Sequence, residues 1–484
     1  MESNIKKNYI YQVLYQVLVS VLPFITSPYI ARVLGADSLG TYTYTLSIVT
    51  YFKLFAALGI VNYGNRVIAK AKDNQELLNR TFSSLFFVHV ILTVVIIFIY
   101  LFYWKEFVVD NKLIALIQGM YLIGELLDIN WFFFGMEQFK LTVTRNAIIK
   151  VLTVVAVFAL VKDKSDLWVY VLIMALGSFF SISVLWLFVR KYVRFVAFTK
   201  EDCLKHMKPL VILFFAILAV SVFSYMDKIM IGKMSNMSQL GYYENAWKMI
   251  EFPTGFVTSL GTVMLPKISN LVTSGKKEQV HKYLSESMKF SMIASLAIAF
   301  GVASIANEFS VVFWGPDFST SGTLMIVMSI AIMIMSWNIV IRNQYLIPYE
   351  FDRIYLFAVS TGAIVNFVAN YLLIPRYQAV GAAIGTVCAY FSVCLVQTIF
   401  AARELPIRKY IINFIPYLIP AIIMFFSVRI IGNILGYRVL TLFVEILVGV
   451  LVFILVTLFM AKSIGDQFVL KAFIKIKQKV CMKQ

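Results

Sequence analysis

The 484-residue sequence has few charged residues and few chemically reactive ones. Only 14% of its residues are charged and it contains four cysteines and three histidines, whereas 61% of its residues are hydrophobic. A soluble protein of this composition would expose too much apolar surface. The cysteines lack metal-ligand spacing, so we expect buried, inert thiols rather than disulfides or a metal site. The sequence contains no HExxH, GxSxG or complete P-loop motif, which argues against a metalloprotease, a serine hydrolase and an ATPase.

Apolar runs of 18 or more residues recur from one end of the chain to the other. Each is long enough to cross a bilayer as a helix, and they do not alternate polar and apolar residues as the strands of a membrane β-barrel do. The sequence therefore predicts an all-α, polytopic membrane protein with about fourteen transmembrane helices. The predicted spans are residues 9–31, 40–62, 81–103, 112–134, 142–161, 167–189, 209–232, 241–265, 286–306, 321–347, 354–374, 379–401, 411–432 and 439–461.

Positive charge is concentrated in every second loop between these spans. About thirty of the 43 lysines and arginines fall on the same side as the N-terminus, and the positive-inside rule places that side in the cytoplasm. Both termini are therefore expected in the cytoplasm, and the link Gly35–Ser38 outside. The net charge of +18 is then explained by topology and by anionic lipids, and no nucleic acid is expected as a partner. The basic tail from Lys462 onward predicts an interfacial helix.

Charged residues also lie inside the apolar spans, where a charge is costly unless it faces protein or water. Lys53 lies deep in span 2 and has no carboxylate nearby in its own helix. In span 4, Glu125 and Asp128 are spaced i, i+3 and are expected to share a helix face. Two interpretations of that pair are open: a site for a coupling cation or proton, and hydrogen bonding between helices near the inner interface.

The first two spans have a counterpart about 201 residues later, which is the period of a duplicated half rather than of a short repeat. Leu39-Gly40-Thr41-Tyr42 corresponds to Leu240-Gly241-Tyr242-Tyr243, and Arg32 corresponds to Lys233. Polar stripes at helical spacing mark spans 1, 2, 7 and 8. Their members are Gln12, Gln16, Ser20 and Ser27; Thr43, Ser47, Thr50 and Lys53; Ser221, Ser224 and Asp227 or Lys228; and Glu244, Lys248, Glu251, Thr254 and Thr258.

The second half of the chain carries a further set of small and polar residues. Span 10 ends in Arg342-Asn343-Gln344-Tyr345-Leu346-Ile347-Pro348, and span 11 places Asn366 and Asn370 on one face. We expect these asparagines to hydrogen-bond between helices rather than to bind a ligand. Gly381 and Gly385 follow in a small-xxx-small pattern, which predicts a close approach of two helix backbones.

Taken in order, these motifs resemble the polysaccharide flippase family of the multidrug/oligosaccharidyl-lipid/polysaccharide exporter superfamily, and the likeness covers nearly the whole chain. It is carried by Tyr29-Ile30-Ala31-Arg32-Val33-Leu34-Gly35, Leu39-Gly40-Thr41-Tyr42, Asp128-Ile129-Asn130-Trp131, Gly135-Met136-Glu137 and the motifs from Asn343 to Thr386. The resemblance implies two six-helix bundles plus two extra C-terminal helices, with a central cavity lined chiefly by helices 1, 2, 7 and 8. The expected domains are residues 1–195, residues 196–405, and residues 406–484 with the basic cytoplasmic tail.

The resemblance also implies a function: translocation of undecaprenyl-diphosphate-linked oligosaccharide repeat units across the bacterial cytoplasmic membrane by alternating access, for capsular or other surface polysaccharide. Lys53-Leu54-Phe55-Ala56 and Lys248-Met249-Ile250-Glu251-Phe252-Pro253 are similar to basic motifs of lipid II flippases, so Lys53 and Lys248 are expected to bind the diphosphate. The alternative for each is a lysine paired with a carboxylate for packing, such as Lys248 with Glu251 or Glu244. Thr26-Ser27-Pro28 stands where those flippases have a charged pair, which argues against a peptidoglycan precursor. Expected cavity or gate residues are Arg32, Asp227, Lys228, Glu244, Glu251 and Arg342; expected ion-coupling residues are Glu125 and Asp128.

Two other functions are open at this point. A cation-coupled multidrug exporter of the same superfamily would have twelve helices and an acidic cavity, and a polysaccharide polymerase or glycosyltransferase would need a catalytic constellation, which is not visible. We expect a protein that is not an enzyme and binds no metal or cofactor, with a proton or a sodium ion as the candidate coupling ion. Its expected partners are the lipid-linked oligosaccharide, the bilayer, and the polymerase and glycosyltransferases of the same pathway.

Overall fold

The computed structural model describes residues 2–471 and Phe473, with side chains from Leu22 onward apart from a few inside helices. This described part is all-α, as predicted. Ten of its helical stretches are long and apolar enough to cross a membrane, and two of them, Leu22–Ala71 and Asp352–Ala401, are 50 residues long. A single crossing takes about 20 residues, so each of these two is long enough for more than one. The stripe residues Gln12, Gln16 and Ser20, and most of the predicted tail helix, lie outside the described side chains.

Seventeen α-helices make up the described chain. They are α1 (Glu2–Ala57), α2 (Ile60–Ala71), α3 (Gln75–Phe107), α4 (Lys112–Gln118), α5 (Met120–Leu126), α6 (Asn130–Gly135), α7 (Phe139–Leu160), α8 (Leu167–Ser183), α9 (Trp186–Val189), α10 (Lys200–Met234), α11 (Met237–Thr273), α12 (Lys277–Trp314), α13 (Ser319–Ile341), α14 (Asp352–Ala401), α15 (Ile407–Phe414), α16 (Leu418–Leu435) and α17 (Val439–Ser463).

The chain divides into two compact units, residues 1–241 and residues 242–484. An aromatic cluster that includes Phe82, Trp131 and Phe132, all fully buried, forms a core of the first unit. In the second unit, Trp337 and Tyr345 belong to a core cluster between α12, α13 and the start of α15. Bundle boundaries at residues 195/196 and 405/406 stay a prediction.

Helix α1 changes direction at Gly35, whose φ of 77° and ψ of 173° lie outside the helical region. Glycine has no Cβ and adopts this conformation without strain, which explains why the two predicted spans meet at this residue. Gly40 belongs to the first copy of the repeated motif and Gly241 to the second. Each glycine lies against the backbone of the other copy. A Cβ built on Gly40 would lie 1.7 Å from the carbonyl oxygen of Met237, and one on Gly241 would lie 2.1 Å from that of Ala36. The repeat is therefore also a reciprocal contact, in which each glycine admits the backbone of the other copy.

Predicted span 4 is not one helix but three short ones, α4, α5 and α6, interrupted at Gly119 and again at residues 127–129. The expectation that Glu125 and Asp128 share a helix face is therefore wrong. Asp128 lies beyond the end of α5, and its Oδ1 accepts hydrogen bonds of 2.7 Å from both the backbone N–H and the side-chain amide of Asn130. Short polar side chains compete in this way with the helical ladder, and here they begin a new helix instead of continuing the old one.

Helix α14 also folds back on itself, at Gln378 with φ 53°. A Cβ on Gly381 would lie 2.4 Å from the carbonyl oxygen of Leu373, and one on Gly385 would lie 2.1 Å from Oδ1 of Asn370. The predicted close approach of two helix backbones is confirmed at Gly381, whereas Gly385 makes room for the side chain of Asn370. The thiol of Cys388 is exposed, contrary to the expectation of buried thiols, because this face of α14 points outward with Phe391 and Leu395.

The segment that leads into α10 is held to α3 by charged groups. Asp202 accepts hydrogen bonds from the backbone N–H and the hydroxyl of Thr199, and pairs with Arg80 Nε at 2.6 Å and Lys205 Nζ at 2.9 Å. The Thr199 backbone hydrogen bond, together with that from Lys205, holds the pKa of Asp202 well below its usual range. The carboxylate is thus ionised at any physiological pH and keeps this junction closed.

Beside it, His206 bridges α2 and α3. Its Nδ1 lies 2.8 Å from the hydroxyl oxygen of Tyr63 and its Nε2 lies 3.1 Å from Oγ of Ser84, and the residue is 2% exposed. Burial, helped by the charge of Lys205, lowers the pKa of His206 from its ordinary 6.5 to about 4. The neutral imidazole is therefore the form that the folded protein holds.

This arrangement predicts a loss of stability in mild acid. Between pH 6.5 and 4 the unfolded chain binds a proton on His206 that the folded chain does not, so the stabilisation is complete above pH 6.5 and is lost as the pH falls. We expect the thermal unfolding midpoint of the purified protein to fall more steeply over this range in wild type than in His206→Gln. His281→Gln, a half-exposed histidine on α12, is the control and should keep the wild-type slope. Equal slopes for wild type and His206→Gln would show that His206 does not govern the acid response.

Candidate functional site

Two of the predicted site residues meet in the first unit. Nζ of Lys53, on the part of α1 that follows Gly35, lies 3.3 Å from Oε2 of Glu125, in the last turn of α5. The carboxylate side chain is 6% exposed and the lysine side chain 29%. Lys53 Nζ also lies 6.0 Å from the centre of the Tyr121 ring, within the range of a cation–π contact. The pair therefore joins a buried anion to a cation whose side chain is partly exposed.

The interruption of span 4 fixes the position of Glu125. Where the helical ladder stops, three backbone carbonyls accept hydrogen bonds from aromatic rings: Glu125 O from His89 Nε2 at 2.7 Å, Leu127 O from Trp186 Nε1 at 2.9 Å, and Asp128 O from Trp131 Nε1 at 2.9 Å. Non-helical backbone at membrane depth requires such internal partners. Because a carbonyl can only accept, the proton of His89 is on Nε2. These three hydrogen bonds fix the non-helical backbone between α5 and α6, and they thereby position the carboxylate that faces Lys53.

The Lys53–Glu125 pair can exchange partners. An ammonium group has three donors, and the carboxylate occupies one side of it. A phosphate that enters from the exposed side gains a charge-assisted contact with Lys53. If that contact draws the lysine away, Glu125 is left as a buried charge without its counter-ion, which is strongly unfavourable. Anion binding by Lys53 stays a prediction, and the contact with Glu125 would compete with it.

The second predicted cation, Lys248, lies on α11 in the second unit. Its Nζ is 3.6 Å from Oε1 of Glu244, one helical turn earlier, and the two side chains are 45% and 15% exposed. This i, i+4 order, with the acid N-terminal to the base, is the favourable one on a helix, and helix pairs at this spacing are worth about 0.3–0.5 kcal/mol. Lys248 is therefore easily available to another anion. Glu251, three residues further on, is exposed.

The remaining predicted residues differ in their surroundings. Arg32 is exposed on α1, whereas Asp227 on α10 is 4% exposed. Its neighbour Lys228 places Nζ 5.5 Å from the ring of Tyr225. Arg342 begins a π-helical turn, donates from Nε to Oδ1 of Asn343 at 2.9 Å, and stacks 5.7 Å from the Tyr355 ring. Their roles in a cavity or gate stay predictions.

Sequence reasoning missed His89, Trp186 and Tyr121 as parts of this site. Each is an ordinary residue of an apolar span, and its partner is a backbone carbonyl or an ammonium group on another helix. The missing signal is the interruption of span 4, for which the only local sign is the run Asp128-Ile129-Asn130 of residues that favour turns and caps.

The profile of the family described as "Polysaccharide biosynthesis protein" matches residues 5–272, more than half of the chain. The chain belongs to this family. The resemblance noted from the motifs is confirmed. A putative O-antigen transporter of Shigella dysenteriae is 25% identical to this family member over 374 residues, which cover 75% of the chain and 91% of the relative.

Solved structures show the fold that this family member adopts. A lipid II flippase, MurJ, in an inward closed conformation has a TM-score of 0.78 with 14% identity, over 94% of this chain and 100% of that protein. An inward-facing multidrug resistance transporter of the MATE family, from the MOP superfamily, has a TM-score of 0.60 with 12% identity, over 81% of this chain and 94% of the other. The predicted all-α, polytopic fold is confirmed. All three similar proteins are named as transporters or flippases, in agreement with the prediction that the chain is not an enzyme.

Proposed function

We propose that this protein flips undecaprenyl-diphosphate-linked oligosaccharide repeat units across the bacterial cytoplasmic membrane, for assembly of a capsular or other surface polysaccharide. Its family, the named function of the Shigella relative and the fold shared with a lipid II flippase all support a transporter of polysaccharide precursors. The observation that carries the proposal is Lys53, a cation inside an apolar span whose side chain is still partly exposed. The diphosphate is the anionic group that every substrate of this class shares, and it needs such a counter-charge.

In the proposed cycle the diphosphate competes with Glu125 for Lys53. The contact with phosphate contributes about 1.5–3 kcal/mol, as hydrogen bonds to charged groups do. The ammonium group keeps part of its contact with Glu125, so weakening of that pair offsets only part of this gain. Net binding is then weak enough for release, a requirement for any transported ligand. When the substrate leaves, the Lys53–Glu125 pair re-forms and resets the site.

Other predicted residues keep their proposed roles in this scheme. Lys248 is proposed as the second counter-charge for the diphosphate, and it pairs with Glu244 when no substrate is bound. Two acids are proposed for ion coupling. Asp128 already accepts two hydrogen bonds from Asn130, so the ion-coupling proposal rests on Glu125. Asp227 and Lys228 are proposed to close the outer mouth of the cavity during the alternating-access cycle.

The proposed direction of transport requires the predicted topology. With both termini in the cytoplasm, Ser38 lies outside and Ser274, in the link between α11 and α12, lies inside. A membrane-impermeant maleimide applied to intact cells should label Ser38→Cys and spare Ser274→Cys, in a background whose native cysteines are replaced by serine. Labelling after membrane disruption is the control for reactivity of both positions. Labelling of Ser274→Cys alone in intact cells would reverse the topology.

Deletion of the gene tests the proposed function. The mutant should lose surface polysaccharide and accumulate lipid-linked oligosaccharide that externally added glycosidases cannot reach in spheroplasts. Wild-type protein and Lys70→Gln, a change of an exposed lysine on α2, should restore export. Surface polysaccharide that is unchanged after deletion, in a strain without a second flippase, would contradict the proposal.

A further inference from the structure

A second charged cluster lies in the unit formed by residues 242–484, where α12, α16 and α17 pack together. Nη1 of Arg429 on α16 lies 3.2 Å and 3.1 Å from the two carboxylate oxygens of Glu308 on α12, and 3.4 Å from the backbone carbonyl oxygen of Ser304. Glu308 is 4% exposed, and the Arg429 side chain is 26% exposed. The arginine thus neutralises one buried carboxylate.

Glu445, on α17, is a further carboxylate at the same place. It is 0% exposed, and neither of its carboxylate oxygens has a hydrogen-bond partner among the described residues. A Cβ built on Gly432 of α16 would lie 2.3 Å from Oε1 of Glu445 and 3.1 Å from Oε1 of Glu308. Both carboxyl groups therefore face the same point on the backbone of α16. Gly432 is what leaves room for them, since any side chain there would collide with Glu445.

The charges of the three groups do not balance if both acids are ionised. Arg429 carries one positive charge and is already paired with Glu308, so an ionised Glu445 would be a second negative charge without a donor. Burial of an ionised carboxylate without a partner is very costly, and two carboxylates at one site do not both ionise readily. A protonated carboxyl group, in contrast, has an O–H that it can donate to its neighbour.

We propose that Glu445 and Glu308 form a proton-binding site, in which one proton is held on Glu445 and shared toward Glu308 while Arg429 neutralises the remaining charge. The charged groups that the packed helices bring to the site are Glu308 from α12 and Arg429 from α16. The nearest cluster at the opposite end of these helices is Asp466 with Lys289 and Tyr417, about the length of a span away along α12. The site does not depend on which substrate the protein carries.

The location of the site suggests what the proton controls. Glu308, Arg429 and Glu445 are each six residues from the end of their helix on one side of the unit, about 9 Å along the helix axis. Loss of the proton places two like charges between α17 and α12, which loosens the packing of the C-terminal helix pair. Under the predicted topology this end of the helices faces the outside. External pH therefore determines whether the site holds its proton, and the partly exposed Arg429 marks the side on which the proton has access.

Infrared difference spectroscopy of the purified full-length protein tests the site without a transport assay. Wild type at neutral pH should show the carbonyl-stretch band of a protonated carboxylic acid, which disappears on alkaline titration. Glu445→Gln should lack this band and fold normally, because the amide replaces a neutral acid of the same shape. Glu308→Gln should also lack it, since Glu445 then ionises to pair with Arg429. Glu278→Gln, at an exposed position on α12, should retain it.

Each outcome decides the proposal. A band that persists in Glu445→Gln, or no titratable band in wild type, would overturn it. If Glu445→Gln fails to fold, the Glu308→Gln spectrum still decides: loss of the band supports the shared proton, and an unchanged band excludes it. A proton site and the flippase function can fail separately, because deletion of the gene tests the second and the spectrum tests the first.

Discussion

A strain in which Lys53→Gln is the only flippase should display roughly ten- to a hundredfold less surface polysaccharide at substrate levels below saturation, because removal of a charge-assisted contact costs about 1.5–3 kcal/mol of binding. Because this substitution leaves the buried Glu125 without its counter-ion, the double variant Lys53→Gln, Glu125→Gln controls for destabilisation and should also lose export at an equal membrane level. Lys53→Arg should retain part of the activity, since it keeps the charge but changes the geometry from a point donor to a planar fork. Lys70→Gln is the matched control for loss of one lysine charge.

Glu125→Gln separates the exchange mechanism from a simple anion site. Without its internal competitor, Lys53 should hold the diphosphate as tightly as in wild type or more tightly, whereas export should fall because release is slower. Glu137→Gln, which removes an exposed carboxylate paired with Lys72 at 2.9 Å, is the control and should be nearly silent. Wild-type polysaccharide from Lys53→Gln at equal expression would return the pair to a structural role. Weaker binding by Glu125→Gln would reject the exchange.

The second large effect is expected at the reciprocal glycines. Gly40→Ala places a methyl group 1.7 Å from a backbone carbonyl, and Gly241→Ala places one 2.1 Å from another. The flexible end of a side chain cannot relieve these clashes, because the obstacle in each case is backbone. The cost should be at the upper end of overpacking, about 3 kcal/mol or more. Both variants should accumulate poorly in the membrane, and purified protein should melt at a lower temperature than wild type.

Gly255→Ala supplies the matched control for these variants. Gly255 lies in α11, and a Cβ built there meets nothing within 4 Å. Alanine is the better helix former by about 1 kcal/mol, so this variant should be as stable as wild type or more so. Normal expression and melting of both Gly40→Ala and Gly241→Ala would show that the two hairpins do not cross as closely as the structure has them.

The parts of this account that the sequence predicts depend on local signals. Gly35 between two apolar runs indicates the turn of α1, and the repeat of Leu39-Gly40 as Leu240-Gly241 indicates that the two hairpins are related. Small residues at Gly381 and Gly385 predict the tight return of α14. In each case the signal is a glycine, which has no Cβ and therefore permits an unusual backbone conformation or a close contact between helices.

The parts that it does not predict depend on contacts between distant segments. The spacing of Lys53 in its own helix does not indicate that its partner is Glu125, 72 positions later. Likewise, hydropathy cannot show that span 4 is interrupted, because its backbone carbonyls are satisfied by rings from other helices. Glu445 is different, because a carboxylate inside predicted span 14 is itself a sequence signal of a functional site.

Binding of lipid phosphate to the purified protein tests the central claim most directly. The measurement is the Kd of undecaprenyl diphosphate and of undecaprenol, which lacks the phosphates, for wild type, Lys53→Gln and Lys70→Gln in the same detergent. The account predicts that Lys53→Gln weakens diphosphate binding by roughly ten- to a hundredfold, leaves undecaprenol binding unchanged, and that Lys70→Gln alters neither. Equal diphosphate affinity for wild type and Lys53→Gln, or an equal loss for both lipids, would contradict it.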